Sequence, residues 1–421
     1  MLNLGENGMV GGLMDGLVGE LVDRLVGGLV NGPVNRPVNR RVRIEIGESR
    51  SRDARRAQRS ASVPACAALL AIAALACGPE YPIVMECSDR DGIHAVCGMQ
   101  NPEDLALLAD GRTLIVSQFG AMDGSKPGNL ALLDLESEKT TIVFRGSPDV
   151  AAPAPAGGDS LWGQADCPGP PTPAFSPHGI DLAPLPDGSL RLLVVNHGGR
   201  EAIEFFAVAH TDGATGITWR GCAVPPPGTY MNDVVNLPDG GLLATHMMDK
   251  ESETLGIIRA SLGFDTGFVY EWQPVSGFRK VPGTDAPFPN GIELSADGRE
   301  IYLNAYSGGE VRRIDRETGE ILARASIPSP DNLSWAQDGR LLVASHRGGI
   351  RDQMACMGIE EGACPMAFAI VALDPITLEG GPIFENAGPP MGAGTVALDV
   401  GDELVIGSFA SDRVIRVKPQ D

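Results

Sequence analysis

The stretch GIELSADGREIYLNA, residues 291–305, decides the fold, because it joins two apolar runs through an Asp-Gly pair. Both runs contain branched apolar residues, which favour β-strands. Asp-Gly supplies the positive φ angles that a two-residue hairpin turn needs. The stretch therefore predicts an antiparallel β-hairpin.

The same phrase recurs along the chain at intervals of roughly 40–75 residues, and another amphipathic strand follows most copies. Six copies of one sheet-forming unit are typical of a propeller, whereas a pair of β-sandwiches would not explain them. We therefore predict an all-β chain with a six-bladed β-propeller over residues 78–421. The other copies are DLALLADGRTLIVS (104–117), GIDLAPLPDGSLRLLVVN (179–196), DVVNLPDGGLLATH (233–246), NLSWAQDGRLLVASH (332–346) and TVALDVGDELVIGSF (395–409).

Composition and charge agree with many short elements joined by tight turns. The chain has 421 residues, 43% of them hydrophobic but only 5% aromatic, with 54 Gly and 33 Pro. These proportions exclude collagen, coiled coil and wholesale disorder. Residues 77–421 carry 23 basic and 47 acidic side chains, a formal net charge of −24. A surface that acidic argues against nucleic acid or anionic lipid as a partner and is compatible with divalent cations.

The first 76 residues do not belong to the predicted folded domain. Residues 1–48 repeat LV-Gly and PVN-Arg units, with Gly and Pro too frequent for a stable helix, so we predict a disordered low-complexity extension. Residues 49–77 join an Arg-rich stretch to a 15-residue apolar run, which is the pattern of a signal peptide. Its end, Ala74-Leu75-Ala76-Cys77, resembles a bacterial lipobox, in which Cys77 is lipidated; ordinary cleavage nearby is the alternative.

We therefore expect an exported protein, either on the periplasmic side of a bacterial membrane or secreted. Its membrane contact would be made only through the N-terminal lipid anchor at Cys77. Export to an oxidising compartment favours disulfides among the six cysteines that follow the signal. Spacing pairs Cys87 with Cys97 and Cys356 with Cys364, which leaves Cys167 to pair with Cys222. No CxxC motif is present, which argues against a zinc site.

Polar side chains stand at the same phase of five repeats, just before each hairpin. In a propeller the loop that enters each innermost strand lines the central tunnel, so these side chains should converge there. Carboxylate and amide oxygens are the hard ligands that Ca²⁺ prefers, and Glu103 and Asp331 would balance its charge. The alternative is a set of polar residues that only solvates the tunnel. The triplets are Pro102-Glu103-Asp104, Pro177-His178-Gly179, Met231-Asn232-Asp233, Pro289-Asn290-Gly291 and Pro330-Asp331-Asn332.

Ordered segments of the chain resemble the paraoxonases, a family of calcium-dependent lactonases and arylesterases. The resemblance covers nearly the whole predicted mature chain. The wider superfamily includes gluconolactonase-like propellers, which share the fold and a similar calcium site but not the histidines of PHG and VNH. The segments are NPEDLALL, SPHGIDL, LLVVNHGGREAIEFF, MNDVVNL, PNGIELSADGREIYLNA, PDNLSWAQDGRLLVASH and FENAGPPMGAGTVALDVGDELVIGSF.

The resemblance implies two calcium ions in the tunnel, an upper catalytic ion and a lower structural one. Adjacent side chains on an extended segment point opposite ways, so neighbours such as Glu103 and Asp104 can serve different ions. The residues that match ligands of the upper ion are Glu103, Asn232, Asn290, Asp331 and Asn332. Those that match ligands of the lower ion are Asp104, Asp233 and the main-chain carbonyl of Ile180.

The resemblance also implies a catalytic histidine dyad and an aromatic pocket wall. Ca²⁺ would polarise a lactone or ester carbonyl while His178, with a pKa expected near neutrality, takes the proton of the attacking water. His197 would orient His178 or relay its proton; alternatively the metal alone activates water and the histidines shape the pocket. Phe288 matches the aromatic wall, and His346 is predicted at the pocket wall or its rim.

Two features depart from the resemblance. The mammalian enzymes join an N-terminal cysteine to one near the C-terminus, whereas no Cys follows Cys364 here. A Gly/Pro-rich insertion at 147–175 precedes His178, and we expect it to cover the pocket mouth.

The sequence thus favours an exported calcium-dependent hydrolase of small lactone or ester substrates. A sugar lactonase of gluconolactonase type is one alternative, and a non-catalytic ligand-binding propeller is another. A pure binder has no need of two acidic pairs together with two motif histidines. The oligomeric state stays open.

Overall fold

The six predicted hairpins become the inner halves of six sheets in the computed structural model. The model describes residues 82–121, 125–148, 160–185, 187–211 and 214–419. Within these ranges the chain forms six four-stranded antiparallel sheets, and the predicted six-bladed β-propeller is confirmed. The predicted extension (1–48), signal peptide (49–77) and Cys77 lie outside the described residues.

The blades follow one another along the chain, each with its innermost strand first. Blade 1 consists of β2 (Pro102–Leu107), β3 (Thr113–Gln118), β4 (Asn129–Asp134) and β5 (Lys139–Phe144). Blade 2 consists of β6 (Pro177–Pro184), β7 (Leu190–Asn196), β8 (Ala202–Thr211) and β9 (Ala214–Ala223). Blade 3 consists of β10 (Met231–Asn236), β11 (Leu242–His246), β12 (Phe268–Gln273) and β13 (Gly277–Lys280). Blade 4 consists of β14 (Pro289–Leu294), β15 (Glu300–Ala305), β16 (Glu310–Asp315) and β17 (Ile321–Ser326). Blade 5 consists of β18 (Pro330–Trp335), β19 (Leu341–His346), β20 (Phe368–Leu373) and β21 (Gly380–Asn386). Blade 6 consists of β22 (Gly394–Val400), β23 (Glu403–Ser408), β24 (Arg413–Val417) and β1 (His94–Cys97).

The first strand closes the ring. Strand β1 pairs antiparallel with β24, from His94 opposite Arg416 to Cys97 opposite Arg413, and so completes blade 6. The buried Arg413 guanidinium donates to the backbone carbonyls of Val84 and Glu86 on the segment that precedes β1. The two ends of the propeller therefore hold each other in place.

Apolar residues pack between blades rather than in one central core. Each of the six junctions between neighbouring blades has its own cluster of buried side chains within the described residues. At the junction of blades 2 and 3, for example, Phe205 and Trp272 are almost completely buried and their rings lie 5.5 Å apart. The apolar side chains face neighbouring blades, which leaves the tunnel to polar ones.

The Asp-Gly turns differ from the two-residue hairpins predicted from the sequence. In blades 1 to 5 five residues separate the two inner strands, as in 108–112 between β2 and β3. Only the Gly has a positive φ, +69° at Gly111, while Asp110 Oδ1 accepts the amide of Arg112 at 3.0 Å. Asp187, Asp239, Asp297 and Asp338 accept the amide two residues ahead in the same way. The Asp is present for this side-chain bond and not for its φ angle.

The three predicted disulfides are all present. They join Cys87 to Cys97, Cys167 to Cys222, and Cys356 to Cys364. The first ties the segment before β1 to that strand, and the second ties residues 160–175 to the outer strand of blade 2. The third joins the last turn of a helix, Ile350–Met357, to the loop that follows it.

In the part of the chain that the structure describes, two α-helices interrupt the strands, both between the second and third strands of a blade. Helix α1 (Glu253–Ser261) follows a short 3₁₀ turn at Lys250–Ser252 in blade 3, and helix α2 (Ile350–Met357) lies in blade 5. A further 3₁₀ turn occupies Ser160–Trp162. No helix in the described ranges is both long and apolar enough to cross a membrane. Because connections from second to third strands lie at the same end as the starts of the inner strands, both helices border the predicted site.

Candidate active site in the propeller tunnel

Every inner strand is irregular at the point where the predicted site residues stand. In all six blades the pairing with the second strand shifts register between the first residue of the inner strand and the third or fourth. In blade 1 the shift lies between Pro102 and Asp104, and in blade 4 between Pro289 and Ile292. A bulge of this kind bends a strand and re-aims its side chains. The polar triplets therefore stand where the strands turn toward the tunnel.

The bulges bring the predicted upper ligands to the floor of one pocket, with a volume of about 510 Å³. Four of the five side chains line that floor, and the fifth, Asn332, donates from Nδ2 to Glu103 Oε1 at 2.8 Å. All five residues are buried, with exposed fractions of 1–6%. The four lining residues are Glu103, Asn232, Asn290 and Asp331.

Three oxygens of this group have no hydrogen-bond partner although they are buried. They are Glu103 Oε2, Asn290 Oδ1 and Asn332 Oδ1. A buried oxygen without a partner is costly, and a bound cation would satisfy all three. No cluster of three or more His, Cys, Asp or Glu side chains in the described part of the chain has the arrangement of a metal site. The donors here are instead a mixture of carboxylates and amides, which suits a hard cation such as Ca²⁺.

The carboxylates of the floor are also buried beside other acidic groups. Burial raises the pKa of Glu103 well above its ordinary value, and the negative charges of the neighbouring Asp104 and Asp331 raise it further. Burial raises the pKa of Asp331 to about 8. Without a cation Asp331 would therefore hold a proton near neutral pH, and the pKa of Glu103 is shifted in the same direction. A divalent ion is the natural replacement for such protons.

The predicted lower ligands line a second cavity, of about 180 Å³, farther along the tunnel. Asp104 and Asp233 face it while their neighbours Glu103 and Asn232 face the upper pocket, as the alternation of side chains requires. Burial raises the pKa of Asp104 to about 7 and that of Asp233 well above its usual range.

The lower carboxylates are already hydrogen-bonded, unlike the upper group. Asp104 Oδ2 accepts the amide of Ile180 at 2.7 Å, from blade 1 to blade 2. Asp233 Oδ2 accepts the amide of Ile292 at 2.9 Å, from blade 3 to blade 4. In this arrangement Ile180 contacts Asp104 through its N–H, and both carboxylates join neighbouring blades.

The two predicted catalytic histidines form a hydrogen-bonded pair. His178 Nδ1 lies 3.0 Å from His197 Nε2, and both residues are buried. The other ring nitrogen of His178 faces the pocket floor, 3.7 Å from Glu103 Oε1. Burial, with help from His197, lowers the pKa of His178 well below its ordinary value. The expectation of a pKa near neutrality was wrong, because the sequence does not reveal how completely this ring is enclosed.

A carboxylate that the sequence analysis did not identify completes the pair. Both oxygens of Glu201 lie 3.1 Å from His197 Nδ1, and Lys250 Nζ donates to Glu201 Oε2 at 2.8 Å. Glu201 Oε1 also accepts the amide of Met231 at 2.8 Å. The only sequence signal was a Glu four residues after a His, across two glycines.

The pocket walls are aromatic. Phe288 lines the pocket as predicted from the resemblance, and its backbone φ is +57°. Its ring centroid lies 5.6 Å from that of Tyr306, whose hydroxyl is 2.9 Å from His346 Nδ1. His346 lies on the wall, with Nε2 3.4 Å from Asp331 Oδ2, and burial lowers its pKa to about 4. The opposite wall is Phe119, stacked 4.9 Å from the His178 ring.

The described part of the predicted insertion does not line the pocket. Its described residues are 147–148 and 160–175, and the longer piece packs on blade 2, where Cys167 is joined to Cys222 and Trp162 belongs to the apolar cluster. It contributes no residue to the pocket lining; residues 149–159 lie outside the described part. The mouth is bordered instead by Glu253 of α1, Gln353 and Met357 of α2, and the loop that contains Ser125.

Comparison with known proteins gives one family model and several solved structures. A family model described as arylesterase matches residues 99–410. A gluconolactonase from Xanthomonas campestris is 16% identical with a TM-score of 0.46, covering 81% of this chain and 99% of that one. Regucalcin from Agrobacterium tumefaciens, described as a calcium-binding protein, is 15% identical with a TM-score of 0.44, covering 82% and 97%. A luciferin-regenerating enzyme is 15% identical with a TM-score of 0.47, covering 77% and 94%. No curated protein sequence matches the chain significantly.

Proposed function

Because the chain belongs to the arylesterase family, we propose that it is an exported calcium-dependent hydrolase of lactones or aryl esters. The observation that carries this proposal is the set of partnerless oxygens on the pocket floor, next to a buried histidine pair. Family membership supports hydrolysis of the esterase or lactonase type. The donor set supports the calcium requirement.

The residues of the floor have separate tasks in this proposal. Calcium held by the floor oxygens would supply Lewis-acid polarisation of the substrate carbonyl. His178 Nε2, which faces the floor, would take the proton of the attacking water as a general base. His197 holds the His178 ring through its hydrogen bond, while the amide of Asn332 holds Glu103 in place.

The pocket lining favours neutral, partly apolar substrates. The described lining residues include no Lys or Arg that would bind an anionic group. Aromatic and aliphatic side chains dominate the walls above the polar floor, which fits an aryl or alkyl group better than a sugar ring. The walls are formed by Phe119, Tyr230, Met247, Phe288, Tyr306, Met357, Ile359 and Phe409.

The test is a comparison of three substrates with and without calcium. An aryl acetate, an alkyl δ-lactone and a sugar δ-lactone are offered to metal-free protein and to protein with added Ca²⁺. We expect turnover of the first two only with Ca²⁺, and none by Asp331→Ala. Turnover of the sugar lactone alone would favour the gluconolactonase-type alternative. Binding without turnover of any of the three would favour a ligand-binding propeller.

Export is also part of the proposal. Its support is the Arg-rich stretch, the apolar run and Cys77 in the sequence, and the three disulfides of the fold, which persist in oxidising compartments. We propose lipid anchoring at Cys77 on the periplasmic side of a bacterial membrane.

A further inference from the structure

We propose that Glu201 is a positioning residue that fixes the tautomers of both buried histidines, so that His178 presents a bare Nε2 to the pocket floor. This inference rests on the proposed function for its kinetic consequences but not for its structural claim. It is carried by a continuous line of hydrogen bonds from Glu201 through His197 to His178.

The carboxylate at the start of the line can only accept hydrogen bonds. Burial alone would raise the pKa of Glu201, but His197 and Lys250 reverse that effect and leave it below its ordinary value. An ionised carboxylate has no proton to donate. The proton between Glu201 and His197 therefore belongs to His197 Nδ1.

That assignment determines the rest of the line. A neutral imidazole with a proton on Nδ1 has an accepting Nε2. In the proposed state His197 is neutral and its Nε2 faces His178 Nδ1 at 3.0 Å, so His178 carries its own proton on Nδ1 and donates it. The remaining nitrogen, His178 Nε2, is then left with a free lone pair. It faces the floor beside Glu103, where a general base needs one.

The structure holds Glu201 firmly in this orientation. Lys250 Nζ binds Oε2, the amide of Met231 binds Oε1, and the Lys250 ammonium lies 4.8 Å from the centre of the Tyr230 ring. The Tyr230 ring in turn packs edge-on against His197, with centroids 5.4 Å apart. Because Lys250 begins the 3₁₀ turn before α1, the helix at the pocket mouth is linked to the histidine pair through Glu201.

The loop between His197 and Glu201 allows no bulkier residues at its centre. A Cβ on Gly198 would clash with the carbonyl of Ala174, and one on Gly199 would lie 2.6 Å from Thr172 Oγ1. Gly199 also has a φ of +75°, which favours glycine. The two glycines let the chain turn tightly enough for Glu201 to reach back to the ring of His197.

The tautomers are read directly by NMR of protein labelled with ¹⁵N-histidine, since protonated and bare ring nitrogens resonate far apart. The chain has six histidines, and the spectra of His178→Gln and His197→Gln assign the two that matter. In the wild type we expect both to carry the proton on Nδ1. Glu201→Met removes the acceptor, and we expect His197 to lose its single tautomer. Glu201→Gln keeps an acceptor oxygen and should largely restore it.

Steady-state kinetics provide a second test of the proposal. We expect Glu201→Met to lower kcat by at least about tenfold, the scale on which misplacing a general base is felt, with KM and calcium affinity little changed. Glu138→Met is the control, because Glu138 Oε1 also makes a carboxylate–imidazole contact, with His94 Nε2, far from the tunnel. It should change neither the His197 spectrum nor kcat.

Each outcome has a clear meaning. A proton on Nε2 of His197 in the wild type would overturn the assignment, as would a Glu201→Met spectrum identical to the wild type. The wild-type spectrum and Glu201→Gln decide the question even where Glu201→Met does not fold. If no ester or lactone is turned over, the proposed function fails while the spectra still test the tautomers.

Discussion

At the scale of single residues, the candidate chemistry depends on one buried pair of imidazole rings. The PHG and VNH motifs led to His178 and His197, which lie 3.0 Å apart. Their enclosure by Phe119 and Tyr230 was not predictable, because those contacts join segments far apart in the chain. Glu201 escaped notice for a different reason: it is only four residues from His197, but its role depends on how tightly the intervening glycine pair turns.

Replacing His178 with Gln should separate catalysis from metal binding. We expect kcat to fall by roughly 10²–10⁴-fold, since the general base is lost. Calcium affinity measured by calorimetry should stay nearly unchanged, because His178 is not a proposed ligand. Asp331→Ala is the contrasting variant and should lose calcium and activity together. A His178→Gln protein that keeps a third of the wild-type turnover would leave no general-base role for this histidine.

In the pH profile of kcat, the fall on the acidic side should occur at a lower pH than the pKa of an ordinary histidine would give. Burial favours the neutral ring and lowers the pKa of His178 well below its usual value. The base is therefore already unprotonated at pH 6.5, and kcat should be flat through that point and fall only at markedly lower pH. Initial rates in calcium-saturated buffer between pH 5 and 8 provide the measurement. A midpoint at 6.5, abolished in His178→Gln, would contradict the enclosed state of the ring.

At the scale of elements, the bulge at the start of each inner strand creates the site. The recurrent phrase predicted the strands, and the shared position of the polar triplets predicted that they converge. The sequence did not reveal the register shift, since hairpins with or without a bulge have the same apolar pattern. Close approach between neighbouring bulges is what places Gly291 of β14 directly against the Asp331–Asn332 backbone of β18.

Gly291→Ala should therefore weaken calcium binding without altering a ligand. The added Cβ would clash with the backbone oxygen of Asp331 and lie 2.7 Å from the Cα of Asn332, so β18 must shift. We expect a loss of about 1–3 kcal/mol in stability, the usual cost of overpacking, and a lower calcium affinity in calorimetry. Gly381→Ala in β21 is the matched control, because its Cβ meets nothing within 4 Å. Equal calcium affinity in both variants would show that the contact between bulges does not position the ligands.

At the scale of the whole molecule, the repeat count predicted the propeller but not the way it closes. No copy of the phrase precedes β1, yet residues 94–97 supply the outer strand of blade 6. Pairing between the two ends of a chain leaves no local pattern, so only the structure shows it. The Cys87–Cys97 disulfide and Arg413 then fasten the segment before β1 to the ring.

Anchoring can be tested on the intact chain in a Gram-negative host. Cys77 ends an apolar run that follows an Arg-rich stretch, and a lipid on its thiol would hold the protein at the membrane. We expect the wild type to partition with membranes and to incorporate a fatty-acid analogue. Cys77→Ser should be released or stalled in processing. Absence of label from the wild type would refute lipidation and leave ordinary cleavage as the remaining route.

The buried carboxylates of the tunnel should give the metal-free protein an unusual pH dependence of stability. Burial raises the pKa of Asp104 to about 7 and that of Asp331 to about 8, so the folded state holds protons that the unfolded chain has released. Stability falls with rising pH wherever the folded state binds more protons, by about 1.4 kcal/mol per pH unit for each proton. Buried histidines with lowered pKa values act in the opposite direction, but only below about pH 6.5.

The informative window is therefore pH 6.5 to 8. The free energy of unfolding of the metal-free protein should fall across it, and Asp331→Asn should flatten the slope because an amide does not titrate. Calcium replaces the protons and competes with them, so in saturating Ca²⁺ stability should hold or rise over the same window. Urea unfolding at several pH values, with and without calcium, measures both slopes. If the free energy of unfolding has the same slope against pH with and without calcium, these carboxylates do not bind the ion. If the two slopes differ in the wild type but not in Asp331→Asn, the titration of Asp331 and the binding of calcium are linked to stability through the same buried group.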